Sequence, residues 1–486
     1  MSRLIIGPFN RVEGDLEVQL DVADGIVRSA QVNAPMYRGF EQILQQKHPF
    51  DAMVYVPRIC GICSVSQSVA AARALADAMQ VTPPPNGQIV TNLMLATENL
   101  ADHLTHFYVF FMPDFARPVY AGRSWHAQVQ QRFAAQQGEH ARQAIAARQR
   151  WFTLLGTLGG KWPHTQSIHP GGSARAVDAS ERLRLLMRVR EFRSFLERTV
   201  FSAPLEQIAA LDSEEALWSW HQSAATDDGD FRLFLTIARE IALDRLGPGP
   251  GLYLSYGSYP HDGGMQFARG TWDAALGATS PVDLQAIEED ATSAWLSDQG
   301  GPRHPQQGLT LPVPDKTGAY TWNKAPRLAG RVLETGALAR QIVNGHPLIR
   351  DAAARCGGTV YTRVLARLLE FALVVPAMEK WLGALQMGEP FFTDAPLPDH
   401  ADGTGLAEAA RGSLGHWLSI RDGKLMNYQI VAPTSWNFSP RDANGVPGAL
   451  EAALVGAPVG DGKDTPPVAV QHIVRSFDPC MVCTVH

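Results

Sequence analysis

Two short stretches hold four of the chain's five cysteines: RICGIC, with Cys60 and Cys63, and DPCMVCTVH, with Cys480 and Cys483 shortly before His486. The sulfurs of a Cys-x-x-Cys pair can face one centre, so two pairs brought together would make a four-thiolate site for a soft or borderline metal. Spacing alone does not name that metal. A structural zinc fits the two pairs, and a thioredoxin-like dithiol fits either one. Zinc ribbons and fingers close short loops, however, whereas this loop is nearly the whole chain, which points to a central metal rather than a peripheral staple. The residues after Cys63, SVSQSVAAARALADAM, read as a helix with serines able to cap. Cys63 is therefore expected at a helix N-terminus, where the dipole and free amides lower a thiol pKa from its usual value of about 8.5. Glu13 in RVEGD and Glu41 in YRGFE are noted as well, although a glutamate in such a setting is most often a solvated surface residue.

Positioning such a site requires the two ends of the chain to meet. Residues 4 to 35 read as strands, with Leu16, Val18, Leu20 and Val22 alternating with polar residues and Asp24-Gly25 supplying a tight hairpin turn. Pro83 to Pro85 break the chain, and a helix follows with Leu93, Leu100, Leu104, Phe107 and Phe111 near one face, ending at Pro113-Asp114. Residues 136 to 156 are expected to be helical, and Gly159 to Gly172 a loop. A long amphipathic helix then starts at a capping-box-like Asp178 and Glu181, with Leu185, Val189, Phe192, Leu196 and Val200 along its stripe. The Gly, Pro, Tyr and Asp content of 245–330 predicts irregular loops and short strands. A helix is expected from Val360 to Val375, interrupted by Pro376. The expected class is α+β and predominantly helical, a long-helix bundle core with peripheral β-hairpins and extended loops. No repeat or linker marks a boundary, so a single domain, 1–486, is expected. It comprises an N-terminal β region (1–48), a helical core (49–244), the irregular region (245–330) and a helical and C-terminal metal-site region (331–486).

At 486 residues, 45% of them hydrophobic, the chain can bury a large core. A formal charge of -6 gives no general field for nucleic acid or anionic membrane. The stretch MSRLIIGPFNRVEG lacks an apolar core of signal-peptide length and no apolar run is long enough to span a bilayer, so a cytoplasmic protein with no export address and no direct membrane insertion is expected.

Beyond the cysteines, RVEG (Arg11 to Gly14), RGFE (Arg38 to Glu41), HFY (His106 to Tyr108) with Asp114, GGKWPH, YTWNKAPR (Tyr320 to Arg327), EAARGSLGHW (Glu408 to Trp417) and APTSWNFSPRD (Ala432 to Asp442) run in order along the whole chain. Together with both cysteine motifs they resemble the landmarks of the large subunit of nickel-iron hydrogenases. The resemblance implies the fold of that subunit and four thiolates on nickel. Cys63 and Cys483 would also bridge to an iron carrying carbon monoxide and cyanide, and Cys60 and Cys480 would be terminal. It further implies that Cys480 takes the first proton of dihydrogen and Glu13 carries it onward. Arg411 would lie over the metals and, with Thr434, hydrogen-bond the cyanides, with Asp114 and Asp478 holding the guanidinium. His486, Glu41 and the backbone carbonyl of Ile430 would bind a magnesium or iron ion. Many such subunits lose a tail immediately after that histidine, so a chain ending at His486 is expected to be the processed form or one made without the tail.

Three positions depart from the common pattern: Gln67 where many relatives have histidine, Ala410 where proline commonly precedes the arginine, and Asp15 where histidine often follows RVEG. Ile62 and Phe110 match positions where many relatives have valine and leucine in the gas path. Bulkier residues there would narrow the tunnel toward dihydrogen, although such a change is also ordinary core drift. These features resemble the regulatory branch of the family, which implies slow dihydrogen splitting used to report its presence to a histidine kinase. With only Cys356 left over, iron–sulfur clusters are expected in a small-subunit partner, in a heterodimer or a dimer of heterodimers, and maturation proteins are expected to load the metals. A respiratory uptake hydrogenase, the nickel-free quinone-site subunit of respiratory complex I and a zinc-stapled interaction protein are the competing readings.

Overall fold

The computed structural model describes residues 2–460, 467–484 and 486. At the N-terminus Ser2–Ile6, Glu17–Ala23 and Ile26–Asn33 form a three-stranded antiparallel sheet. Val18, Leu20 and Val22 face inward as their alternation requires, and Asp24 and Gly25 take the left-handed turn with φ of 54° and 69°. Between the first two strands the chain makes an excursion that carries Arg11 to Gly14. This loop pairs with the other end of the protein. Glu13 and Cys480 form a parallel bridge, in which Glu13 N–H donates to Pro479 O at 3.4 Å and Met481 N–H to Glu13 O at 2.8 Å.

The helical core is built from Ser64–Met79, Pro85–Thr105, Ala179–Phe195 and Val360–Ala384. Asp178 and Glu181 form the expected capping box, and Leu185, Val189 and Phe192 are buried. Phe192 stacks on Trp151, with ring centroids 4.3 Å apart, and Trp151 donates to Thr97 O at 2.8 Å. One buried apolar cluster extends from the N-terminal sheet through these helices to Cys480 and Cys483.

Four expectations need correction. Pro376 does not interrupt its helix, which runs for 25 residues to Ala384. Extensive burial of its side chains outweighs one lost backbone donor. The helix from Pro85 does not end at Pro113-Asp114 but changes winding, through a π-helical turn, His106–Phe111, into a 3₁₀ stretch, Met112–Ala116. The 245–330 region is not only loops and short strands. Leu252–His261 and Gly264–Asp273, ten residues each, form a hairpin within a four-stranded sheet. Finally, 331–486 is not only helical, because Ala401–Ala409, Gly412–Arg421 and Lys424–Val431 form a three-stranded sheet. This sheet is not peripheral. It lies directly on the helix Ser64–Met79, where a Cβ on Gly405 would fall 1.9 Å from Ala70 O, so glycine is what permits the approach.

The sheet's first turn is held by a buried ion network. Arg340 bonds Glu370 through Nε at 2.8 Å and Glu408 through Nη1 at 2.9 Å. Glu370 also bonds His103 at 2.7 Å, and Glu408 accepts from Tyr256 N at 2.8 Å and Ser413 Oγ at 2.6 Å. Arg411 follows Glu408 by three residues, and His103 adjoins Asp102, so one network references both to the core.

Candidate metal centre

Cys60 ends a 3₁₀ turn, Val56–Ile59, in extended backbone, and Cys63 occupies the N-cap position of the helix Ser64–Met79. The intervening turn brings Cys63 N–H to 3.4 Å from Cys60 Sγ. The second pair arrives after the helix Val468–Ser476, where Asp478 takes a left-handed φ of 57° and Cys483 N–H closes a turn on Cys480 O at 3.0 Å. Cys60 and Cys480 sulfurs are then 3.4 Å apart, while Cys63–Cys483 and Cys480–Cys483 are each 3.1 Å. All four are buried, and their sulfurs lie within 4.8 Å of one another. None is in a disulfide, whose S–S bond would be about 2.05 Å.

Four thiolates this close repel one another unless a cation sits among them. Thiol donors on Cys480, Cys483 and Cys63 hold Cys60 well below the ordinary thiol range. The same contacts push Cys63 well above it, and burial does so for Cys480. Ionisation of all four sulfurs at these separations calls for a cation among them. A compact, buried, all-sulfur donor set fits a soft or borderline ion.

Around this cluster the structure places the other candidate residues. Glu13, half-buried, is brought beside Cys480 by its main chain, and its carboxyl is raised by burial and by Cys60 against the pull of Arg411. Arg411 sits in the turn between Ala409 and Gly412. Burial works against its charge, yet Asp102 and Asp478, helped by Cys480 and Cys63, hold the guanidinium well above its ordinary pKa. Arg411 Nε donates to Asp478 O at 3.1 Å and Nη2 to Asp478 Oδ1 at 3.3 Å. Thr434 Oγ1 accepts from Cys480 N–H at 3.1 Å, which leaves its own O–H free to donate.

Asp114 is the clear correction. It does not hold Arg411 but bonds Arg11 and Arg475, with His472 Nδ1 at 3.7 Å. Arg475 in turn bonds Asn10 O at 3.0 Å and Asn10 Oδ1 at 2.7 Å, and Arg11 bonds Phe110 O at 3.1 Å. Asp114 therefore anchors the loop that carries Glu13. The carboxylate opposite Arg411 is Asp102, which bonds both of its terminal nitrogens; burial raises its carboxyl, and the charge of Arg411 pulls it back down. No sequence signal singled it out, since the helix Pro85–Thr105 also carries Glu98, Asn99 and His103 among its buried residues.

A second residue set was also missed. Gln67 Nε2 lies 3.9 Å from Cys483 Sγ, and Gln67 Oε1 is 3.0 Å from His416 Nε2. Burial pushes His416 down to about 3, so the ring is neutral. Since Gln67 Oε1 can only accept, His416 carries its proton on Nε2 and accepts from Tyr428 O–H, 2.9 Å away, on Nδ1.

At the terminus His486 Nε2 is 3.2 Å from Glu41 Oε1, which also accepts from Ile430 N–H at 2.8 Å. The N–H and C=O of one strand residue face the same side, so the Ile430 carbonyl borders this space. Thr310 donates to Glu41, and Lys324 Nζ lies 2.8 Å from Glu289 and 3.4 Å from Glu41. Although burial opposes it, Lys324 and His486 draw Glu41 down to about 2. These hard oxygen and nitrogen donors suit a small divalent ion, with Lys324 already supplying part of the charge. Ile62 is half-buried beside Cys63 and packs on the core, while Phe110, also half-buried, lies on the π-helical turn next to Arg11.

A family model described as nickel-dependent hydrogenase matches residues 38–143 and 233–486. The chain is 31% identical to the periplasmic [NiFeSe] hydrogenase large subunit of Desulfomicrobium baculatum, over all of this chain and 95% of that protein. It is 27% identical to the Hydrogenase-2 large chain of Escherichia coli, over all of this chain and 97% of that one. Among solved structures, the Ni-Fe-Se hydrogenase of D. vulgaris Hildenborough in the reduced state superposes with a TM-score of 0.85, at 29% identity and with full coverage of both chains.

Proposed function

Because this chain belongs to the nickel-dependent hydrogenase family as a large subunit, we propose that its four buried thiolates hold a nickel-iron centre that splits dihydrogen heterolytically, and that the event is used to sense the gas. The observation that carries the reading is the convergence of Cys60, Cys63, Cys480 and Cys483 within 4.8 Å with Glu13 paired to Cys480 through the main chain. All four thiolates would hold the nickel, Cys60 and Cys480 belonging to it alone and Cys63 and Cys483 being shared with an iron that carries carbon monoxide and cyanide. When bound, such a centre would polarise dihydrogen for heterolytic cleavage into a proton and a hydride, two protons and two electrons in all.

The chain's own residues manage the proton. It goes first to Cys480 Sγ and then to a carboxylate oxygen of Glu13, whose burial raises its proton affinity toward that of its donor. Asp102 and Asp478 leave the Arg411 guanidinium little freedom, so its one remaining N–H would be fixed to donate to the cyanides, and the hydroxyl hydrogen of Thr434 would do the same. Glu41, His486 and the Ile430 carbonyl would hold a magnesium or iron ion and so fix the C-terminal turn, Met481–Thr484, that follows Cys480. Electrons leave through iron–sulfur clusters of a small-subunit partner, since Cys356 is the only cysteine outside the centre. We read 1–486 as one domain of a cytoplasmic heterodimer matured by dedicated proteins. No helix among the described residues is long and apolar enough to cross a membrane.

The sensor reading, with a histidine kinase as receiver and low turnover, is supported by this chain's own departures: Gln67 against Cys483, and the bulkier Ile62 and Phe110. Elemental analysis of the matured protein is expected to find nickel, and infrared spectroscopy to find bands of iron-bound carbon monoxide and cyanide. Zinc without such bands would defeat the proposal, and rapid dihydrogen oxidation feeding a quinone pool would favour an uptake enzyme. Replacing Ile62 and Phe110 together by Val and Leu is expected to speed inactivation under dioxygen; an unaltered inactivation rate would remove the tunnel argument.

A further inference from the structure

We infer that Glu98 is a positioning residue for the first cysteine pair: its carboxylate caps the helix that begins at Cys63 and limits how much of that helix's N-terminal charge reaches the sulfur. The inference rests on the metal-centre reading above.

A helix leaves its first amides without intrahelical partners, and the residue at the N-cap ordinarily supplies an acceptor. Cys63 occupies that position and makes no capping hydrogen bond. The acceptor comes instead from the neighbouring helix Pro85–Thr105. Glu98, 2% exposed, takes Val65 N–H on Oε2 at 2.8 Å and Ser66 N–H on Oε1 at 2.9 Å. Ser66 Oγ donates to Oε1 at 3.0 Å, Ser64 Oγ to Oε2 at 3.4 Å and Trp162 Nε1 to Oε2 at 3.0 Å. Every one of these partners is a neutral donor. Arg148, whose guanidinium lies over the rings of Phe152 and Trp162, forms no hydrogen bond or ion pair with Glu98.

The same carboxylate ties down the segment ahead of Cys60. Ser64 Oγ also accepts from His164 N–H at 3.3 Å, and His164 Nδ1 bonds Pro57 O at 3.0 Å, so the 3₁₀ turn leading to Cys60 and the helix leading from Cys63 share one reference point. A helix N-terminus facing a thiolate draws electron density from it. By taking the Val65 and Ser66 amides and setting a buried carboxyl behind them, Glu98 opposes that pull on Cys63. The residue thus adjusts both where the bridging sulfur lies and how strongly it donates.

The test uses the matured heterodimer with Glu98→Gln and Glu98→Leu, reading nickel per chain and the infrared bands of the diatomic iron ligands. Gln keeps one acceptor, removes the charge and turns an amide group toward donors; nickel is expected to be retained while the bands shift. Leu removes every acceptor, and nickel content is expected to fall several-fold. Bands unmoved in the Gln variant, or wild-type nickel content in the Leu variant, would overturn the inference. A wild-type protein lacking nickel would instead refute the premise, before either variant is compared.

Discussion

Replacing Glu13 by Gln is expected to lower hydrogen–deuterium exchange and dihydrogen oxidation by about 10²- to 10⁴-fold while nickel content and the infrared bands remain. The size follows from what positioned proton transfer by a carboxyl contributes, and from the absence of any way for an amide to accept the proton at that point. The selectivity follows from the backbone. Glu13 meets the second cysteine motif through its own N–H and C=O, to Pro479 and from Met481, and neither contact depends on the side chain. The amide is nearly isosteric, so the loop keeps its place beside Cys480. Full exchange in the variant, measured on protein of unchanged nickel content, would show that the proton leaves by another route. A loss of nickel would show instead that the carboxyl is needed to assemble the centre.

What could be read before the structure divides along physical lines. Local rules were sufficient for the N-terminal hairpin and for the helix capped by Asp178 and Glu181, because alternation, turn residues and capping act between residues close in sequence. The meeting of the two chain ends was legible from the matched cysteine pairs, since a shared metal forces convergence whatever lies between. The sheet 401–431 was not legible. Its first strand, Ala401–Ala409, is rich in glycine and alanine, with Gly403 and Gly405 allowing the approach to the helix Ser64–Met79, so the pattern that betrays a strand is weak there. Gly257 misled in the same way. It lies inside the strand Leu252–His261 with φ of 78°, where the ladder skips from Tyr256 to Ser258, and marks an irregularity in a strand rather than a loop. Pro376 was read by its local cost alone, and tertiary packing overrode it. The carboxylate partner of Arg411 was beyond sequence spacing altogether. Asp102 and Asp114 lie along one continuous helical path, and which of them faces the metal depends on the switch to π winding at His106.

That distinction gives the second large effect. Asp102→Ala is expected to destabilise the protein by about 3–5 kcal/mol, because it leaves the buried Arg411 guanidinium with Asp478 alone. The infrared bands are expected to move, since the guanidinium loses the partner that fixes its tilt over the cluster. Asp102→Asn, which keeps one acceptor and the shape, should preserve more of the fold and still displace the bands. Asp114→Asn should do the opposite. Arg11 and Arg475 lose their shared carboxylate and the Asn10 to Glu13 loop loosens, so exchange slows, but Arg411 keeps both of its acidic partners and the bands stay in place. The two aspartates are thus separable by pairing a spectroscopic reading of the centre with a kinetic reading of the proton. If Asp114→Asn moved the bands and Asp102→Asn left them unchanged, the guanidinium would be held as the sequence first suggested, and the assignment of Asp102 to the roof of the metal centre would fall.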